Sequence, residues 1–234
     1  MSGGAGAPRV RLGVLVPSSN TMVERDAQIH MPPAVSTHFT RMRITRDDPD
    51  QLAALADLAP PGAKLLADAG VAAIAFACTT GSIHGEAWRE REVIDRIEAV
   101  AAVPATTTAT AVLDALVALD AARVALVSPY EPWLNEEVVG FLGRSGVAVE
   151  RVHGFGLPDP LDIAAVPPAE IAAAARTIDS DCVEAIVISC TAFAGLDAAR
   201  LVRGELGKPV VAANQATFWK LGRLAGLPDV LPPG

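Results

Sequence analysis

The chain lacks the short patterns by which many enzymes hold a cofactor. It has no C-x-x-C pair and no H-E-x-x-H, so spaced metal ligands are missing. No G-x-x-x-x-G-K-[ST] occurs. The glycine-rich stretch GGAGAP precedes the first apolar run, whereas a phosphate-binding turn follows a strand. No cofactor and no metal are therefore expected. Three cysteines cannot close a disulfide framework, which points to a reducing compartment. No apolar run approaches the roughly 18 residues of a membrane span. Lys and Arg number 19 against 27 Asp and Glu, with no basic cluster. Neither a membrane nor nucleic acid is an expected partner. The opening MSGGAGAP has no hydrophobic segment of the kind a signal peptide needs. Residues 1–8 read as a loose tail, and the cytoplasm is the expected location.

What the chain does have is apolar character and repetition. Hydrophobic residues make up 51% of 234, enough for one large core or two lobes of roughly 110 residues. The stretches VAAIAFACTTGS (Val71 to Ser82) and VEAIVISCTAFAG (Val183 to Gly195) are apolar runs that both end in Cys-Thr. Cys78 and Cys190 are separated by the same interval as Arg11 of RLGVLVP and Arg123 of RVALVSP. Val35 of VSTHFTRMRI and Val147 of VAVERVHGFGL repeat that interval. A fourth pair, VPATTT and KPVVAAN, is shifted by several residues.

Each half alternates short Val/Ile/Leu-rich runs with amphipathic stretches such as Asp50 to Gly70 and Pro168 to Asp181. Continuous apolar strands suit a parallel sheet covered on both faces. The expected fold is α/β, with two pseudo-symmetric doubly wound lobes, each with a four-stranded parallel sheet. The lobes are expected at residues 9–118 and 119–234. Ligands of open parallel sheets bind beyond the carboxyl ends of the strands. An active site in the cleft between lobes follows, lined by PSSN, SPY and both Cys-Thr pairs.

Candidate residues come from these strand ends. A cysteine that ends a strand and starts a helix meets outward-pointing N–H groups, which favour thiolate. Cys78 and Cys190 are the candidates, whereas Cys182 reads as a small buried hydrophobe. Thr79, Thr80 and Thr191 beside them, with Ser82 and Ser189, offer hydroxyls to a substrate carboxylate. Thr21 and Glu24 form a T-x-x-E capping box, so Ser18, Ser19 and Asn20 occupy the strand-to-helix turn. Ser18 and Asn20 join the substrate-binding set, as does Tyr130, the single tyrosine, at the equivalent turn of the second half. The histidines carry less. His84 belongs to a first helical turn; His38 and His153 sit in edge-like second strands. Trp88, Trp133 and Trp219 are read as core or interface.

These residues resemble a known family. Cys-Thr at two equivalent strand ends resembles the aspartate/glutamate racemase superfamily. VPSSNTMVERD, HFTRM, ACTTGS, SPYEPWLNEEVVGFL and SCTAFAG resemble its maleate cis-trans isomerase and arylmalonate decarboxylase branch, from Arg11 to Leu224. The resemblance implies cofactor-independent chemistry on a small carboxylate by a homo-oligomer. Cys78 matches the nucleophile that adds to the alkene and forms a succinyl-cysteine-like adduct. Cys190 matches the proton-handling partner, and Asn20 and Tyr130 match carboxylate-binding positions. The decarboxylases have glycine in place of the first cysteine, so Cys78 disfavours that chemistry. One departure stands out: Pro160, in LPDPLD, occupies the place of a second carboxylate-binding Asn. A related acid or amide thus stands beside maleate. The alternatives are an amino-acid or hydantoin racemase, an arylmalonate decarboxylase-like enzyme, and a non-enzymatic small-acid binding protein. Cys78 precedes a donor-rich turn and Cys190 a more apolar one, which predicts the readier thiolate at Cys78.

Overall fold

A computed structural model describes residues 10–227 and 230–233; the tail expected at residues 1–8 falls outside them. The first half runs β1 (Val10–Pro17), α1 (Met22–His30), β2 (Val35–Met42), α2 (Pro49–Asp68), β3 (Ala73–Phe76), α3 (Thr79–Ile83), α4 (Arg89–Ala101), β4 (Ala105–Thr107) and α5 (Thr108–Ala118). The second runs β5 (Arg123–Ser128), α6 (Pro132–Arg144), β6 (Ala148–Gly154), α7 (Pro160–Ala165), α8 (Pro168–Ile178), β7 (Ala185–Ile188), α9 (Gly195–Leu206), β8 (Val210–Ala212) and α10 (Ala213–Leu224). Two four-stranded sheets result, ordered β2-β1-β3-β4 and β6-β5-β7-β8, with every pairing parallel. The repeated order is the structural form of the repeated sequence interval.

Burial explains the apolar runs. AIAF of β3 and AIVI of β7 are buried at every position, because helices cover both faces of each central strand. The second strands, β2 and β6, stand at the sheet edges and alternate more polar residues, as their sequences foretell. The sheets differ in one respect: β5 pairs β6 with a register shift between Val124 and Ala125, whereas β1 pairs β2 without interruption.

The last helix of each half reaches over to the other. Phe218 and Leu221 of α10 share a core with Leu12, Val14 and Val16 of β1 and with Ala73 and Ala75 of β3. Ala109 and Val112 of α5 face Val138 and Leu142 of α6 and Val187 of β7. The two helices also pack on each other, and the hydroxyls of Thr108 and Thr217 meet at 2.9 Å. This exchange ties the two sheets together and leaves the cleft between their carboxyl ends. No described helix is long and apolar enough to cross a membrane.

Candidate active site

Four strand ends meet at one narrow pocket. Pro17, Ser19 and Asn20 come from the tip of β1 and Cys78, Thr79 and Thr80 from the tip of β3. Tyr130 follows β5, and Cys190, Thr191 and Ala192 follow β7. Ile44 and Asp47, after β2, and Pro160 and Ile163, from α7, complete the wall. Both predicted thiols therefore line one cavity. Both are free and buried.

The strand tips are built by local hydrogen bonds. After β1, the Asn20 side-chain oxygen accepts the N–H groups of Met22 and Val23 at 2.9 and 3.1 Å. Asn20 thus caps α1, and the expected capping box does not form. Thr21 makes no side-chain cap, and Glu24 pairs with Arg41 at 2.7 Å. An amide oxygen two residues before the first free N–H reaches it better than the Thr21 hydroxyl, whose backbone is already helical. The hydroxyl of Ser18 also departs from expectation. It donates to the Ile44 carbonyl at 2.9 Å and accepts the Ile44 N–H at 3.1 Å, fastening the loop after β2. Ser19, its neighbour, lines the pocket instead.

After β3, the chain turns directly into α3. The Cys78 sulfur caps that helix by accepting the Gly81 N–H at 3.4 Å, and the Thr80 hydroxyl sits 3.9 Å away. After β7, there is no helix until Gly195. Cys190 instead takes φ +84°, a left-handed backbone rarely used by residues other than glycine. Phe193, fully buried, anchors this turn against Phe155, with ring centroids 5.5 Å apart. Tyr130 is held by its backbone. Its carbonyl accepts the Asn135 side-chain amide at 3.0 Å and the Gly156 N–H at 3.2 Å. Leu157 donates to the Pro129 carbonyl at 2.8 Å, which brings the LPDPLD segment and Pro160 to the pocket.

Asn20 and Thr191 bridge the halves. The Asn20 amide donates to the Thr191 hydroxyl at 3.0 Å, and that hydroxyl donates to the Ala77 carbonyl at 3.0 Å. Asn214 of α10 donates both to the Thr191 carbonyl at 3.1 Å and to Asp26 of α1 at 2.8 Å. Four buried residues, Asn20 and Asp26 from the first half and Thr191 and Asn214 from the second, form one network that joins the halves. Two hydroxyls remain without a protein partner: those of Ser19 and Thr79, both buried and both on the pocket wall. Buried hydroxyls with no partner are costly, and a ligand that accepts their protons relieves that cost.

Electrostatics correct one expectation. Burial pushes the Cys78 thiol up to about 12, and the Asp47 carboxylate adds to the rise; the Gly81 N–H and the Thr80 hydroxyl offset only part of it. Cys190 is pushed up to about 12 by the same two causes, with the Ala192 N–H and the Tyr130 hydroxyl opposing. The donor-rich turn therefore does not leave Cys78 the readier thiolate, because removal from water outweighs one N–H at a five-residue helix. Burial thus favours the protonated form of both thiols. Tyr130 is raised well above its ordinary value by burial and then by Cys190, so it is a hydroxyl donor. Asp47 is pushed up to about 6 by burial, Asp48 and Glu131.

Other residues fall elsewhere. Cys182 is exposed, beside the Ser180 hydroxyl at 3.2 Å, because it belongs to the turn before β7 and not to the strand. His84 closes α3 and pairs with Glu137 at 2.9 Å; it makes no contact with Cys78. Trp219 is buried as expected, whereas Trp88 is 59% exposed and outside the core. Sequence reading missed Ile44, Ile163 and Asp47. A signal for Asp47 existed, since RDDPD follows the end of β2, next to the tip of β1. No group of three or more His, Cys, Asp or Glu among the described residues is arranged to hold a metal.

Comparison with known proteins agrees with this architecture. The family described as arylmalonate decarboxylase matches residues 12–233. The maleate isomerase of Nocardia farcinica is 32% identical over 95% of this chain and 92% of that protein. The structure of the maleate isomerase of Pseudomonas putida S16 with maleate superposes with a TM-score of 0.89 at 30% identity, covering 93% and 92% of the two chains. A Nocardia farcinica maleate cis-trans isomerase mutant with a covalently bound succinylcysteine intermediate gives 0.87 at 30% identity, covering 93% of each.

Proposed function

The chain belongs to the arylmalonate decarboxylase family, and from that premise we propose that it is a cofactor-independent two-cysteine isomerase of a small unsaturated carboxylate, similar to maleate isomerase. The observation that carries this reading is the pair Cys78 and Cys190 lining one pocket from equivalent strand ends of the two halves, with no cationic side chain in its lining. A solved relative that holds a succinylcysteine supports covalent chemistry at such a pair.

The proposed cycle uses only groups of this chain and the substrate. The substrate carboxylate accepts hydrogen bonds from Ser19, Thr79 and Tyr130, the hydroxyls that face the pocket. Thr80 orients Cys78, while Asn20 and Thr191 hold the two strand tips in register. Cys78 passes its proton to a carboxylate oxygen of the substrate, and its sulfur adds to one alkene carbon, forming a C–S bond as the π bond breaks. Cys190 gives its proton to the adjacent carbon. The former double bond is now single and rotates. Cys190 then takes a proton back from that carbon, the double bond re-forms, the C–S bond breaks to return the sulfur electrons to Cys78, and Cys78 recovers its proton from the substrate carboxylate. Bonds and protons balance without any other reactant. Burial raises both thiols, so in this cycle Cys78 gives up its proton only as it adds to the bound substrate.

Residues 9–118 and 119–234 serve as the two catalytic walls, tied by α5 and α10. Three free cysteines suit a reducing cytoplasm, and a homo-oligomer is the expected assembly. The test is a panel of maleate, maleamate, aryl- and alkylmalonates, aspartate and hydantoins followed by proton NMR in D2O. Cis-trans conversion of an unsaturated acid is expected. Decarboxylation or α-proton exchange alone would replace this reading with the decarboxylase or racemase one.

A further inference from the structure

The pocket wall carries one carboxylate and no cation. Its fourteen lining residues include Asp47 but no Lys, Arg or His. Among the described residues, Asp47 has no hydrogen-bond or ion-pair partner of its own. Its charged neighbours are Asp48 and Glu131, both acidic. Asp48 is engaged at the start of α2, where its side chain accepts the Gln51 N–H at 3.0 Å. The loop that carries Asp47 is fastened on both sides, by Ser18 to Ile44 and by Asp48 to α2, so the carboxylate is held at the pocket. Asp47 lines the same pocket as both thiols and Tyr130, and its charge raises all three.

A second substrate carboxylate at this wall would meet a like charge with no cation to offset it. Pro160 adds no side-chain donor there, and Ile163 adds only apolar surface. The neutral hydroxyls of Ser19, Thr79 and Tyr130 suffice for one carboxylate. Resting on the isomerase reading above, we infer that Asp47 selects a monocarboxylate whose other end carries a hydrogen-bond-donating nitrogen, as an amide or an ammonium, in preference to a dicarboxylate. Asp47 accepts that nitrogen's N–H. A charged acceptor of this kind discriminates by roughly ten- to a hundredfold when the alternative is an unpaired or repelled group.

Binding is read separately from turnover, so that this inference and the isomerase reading fail in different ways. Calorimetry at pH 8, in a Cys78→Ser background that blocks adduct formation, compares maleate, maleamate and cis-4-aminobut-2-enoate. The expected result is that one nitrogen compound binds at least about tenfold tighter than maleate. Tighter maleamate identifies a neutral amide end, and tighter aminobutenoate a cationic one. Asp47→Asn should erase that preference and strengthen maleate, and Asp47→Ser, as a second variant, should do the same; circular dichroism checks that each is folded. Maleate binding as tightly as both nitrogen compounds, a preference unchanged by either substitution, or no binding by any of the three overturns the inference. Failure of the isomerase reading shows elsewhere, as no adduct in the Cys190→Ser protein with any of these compounds.

Discussion

At the tip of β3 the chain passes from Cys78 straight into a helix, and the sulfur itself caps that helix. At the tip of β7 the equivalent Cys190 stands in a left-handed backbone conformation and leads into a turn anchored by Phe193. The two sulfurs share a pocket, a depth and an acidic neighbour, yet their backbones differ. The duplication supplied matching strands. Divergence of the residues after each cysteine gave one thiol the Gly81 N–H at a helix start and the other a constrained left-handed turn. A left-handed non-glycine residue costs about 1–3 kcal/mol and persists only where surrounding packing holds it. In the proposed cycle, that conformation suits a thiol that must present its proton in one fixed direction.

Serine at each position is the sharpest way to separate the two thiols. Cys78→Ser should lower turnover by about 10⁴-fold or more, because the hydroxyl is a far weaker nucleophile, and mass spectrometry should find no adduct. Cys190→Ser should lower turnover comparably yet accumulate an adduct on Cys78. An adduct on Cys190 in the Cys78→Ser protein would reverse the assignment, and full activity in either variant would end the two-thiol cycle.

Next in size is the bridge between the walls. Asn20→Ala removes both the α1 cap and the bond to Thr191, and should destabilise the fold by about 1–3 kcal/mol in urea titration. Thr191→Val removes the bridge but leaves the cap, so its cost should be smaller. Thr191→Val also removes the bond to the Ala77 carbonyl, so equal costs would mean that the α1 cap contributes no more than that bond.

The smallest effect expected is alkaline. Both thiols have folded values raised from 9.0 to about 12, so their contribution to stability is complete below pH 9 and is lost as pH rises through about 12. Melting temperature should fall across that window in the native protein, and less steeply in Cys78→Ser/Cys190→Ser. Parallel curves would show that neither thiol is as deeply desolvated as its burial requires. Iodoacetamide at neutral pH offers a companion measurement. Exposed Cys182 should label first, with Cys78 and Cys190 slow.

The sequence by itself determined the architecture and the pair of thiols. Apolar runs repeated at one interval left only a duplicated parallel-sheet fold, since strands buried on both faces admit little else. Cys78 and Cys190 were legible because strand ends in such sheets point at ligand. Local hydrogen bonding was less legible. Asn20 in place of Thr21 at the helix cap, and Ser19 in place of Ser18 at the pocket, turn on a single residue's rotation, which composition does not encode. Only the tertiary structure decided how deeply the thiols are buried and that Asp47 lines their pocket. Burial energy depends on what the other half of the chain lays over a group, and α7, the loop after β2 and the Thr191 bridge come from distant segments. Charge at the pocket follows the same rule. RDDPD reads as an ordinary helix start, and only the fold brings Asp47 into the pocket that both sulfurs line.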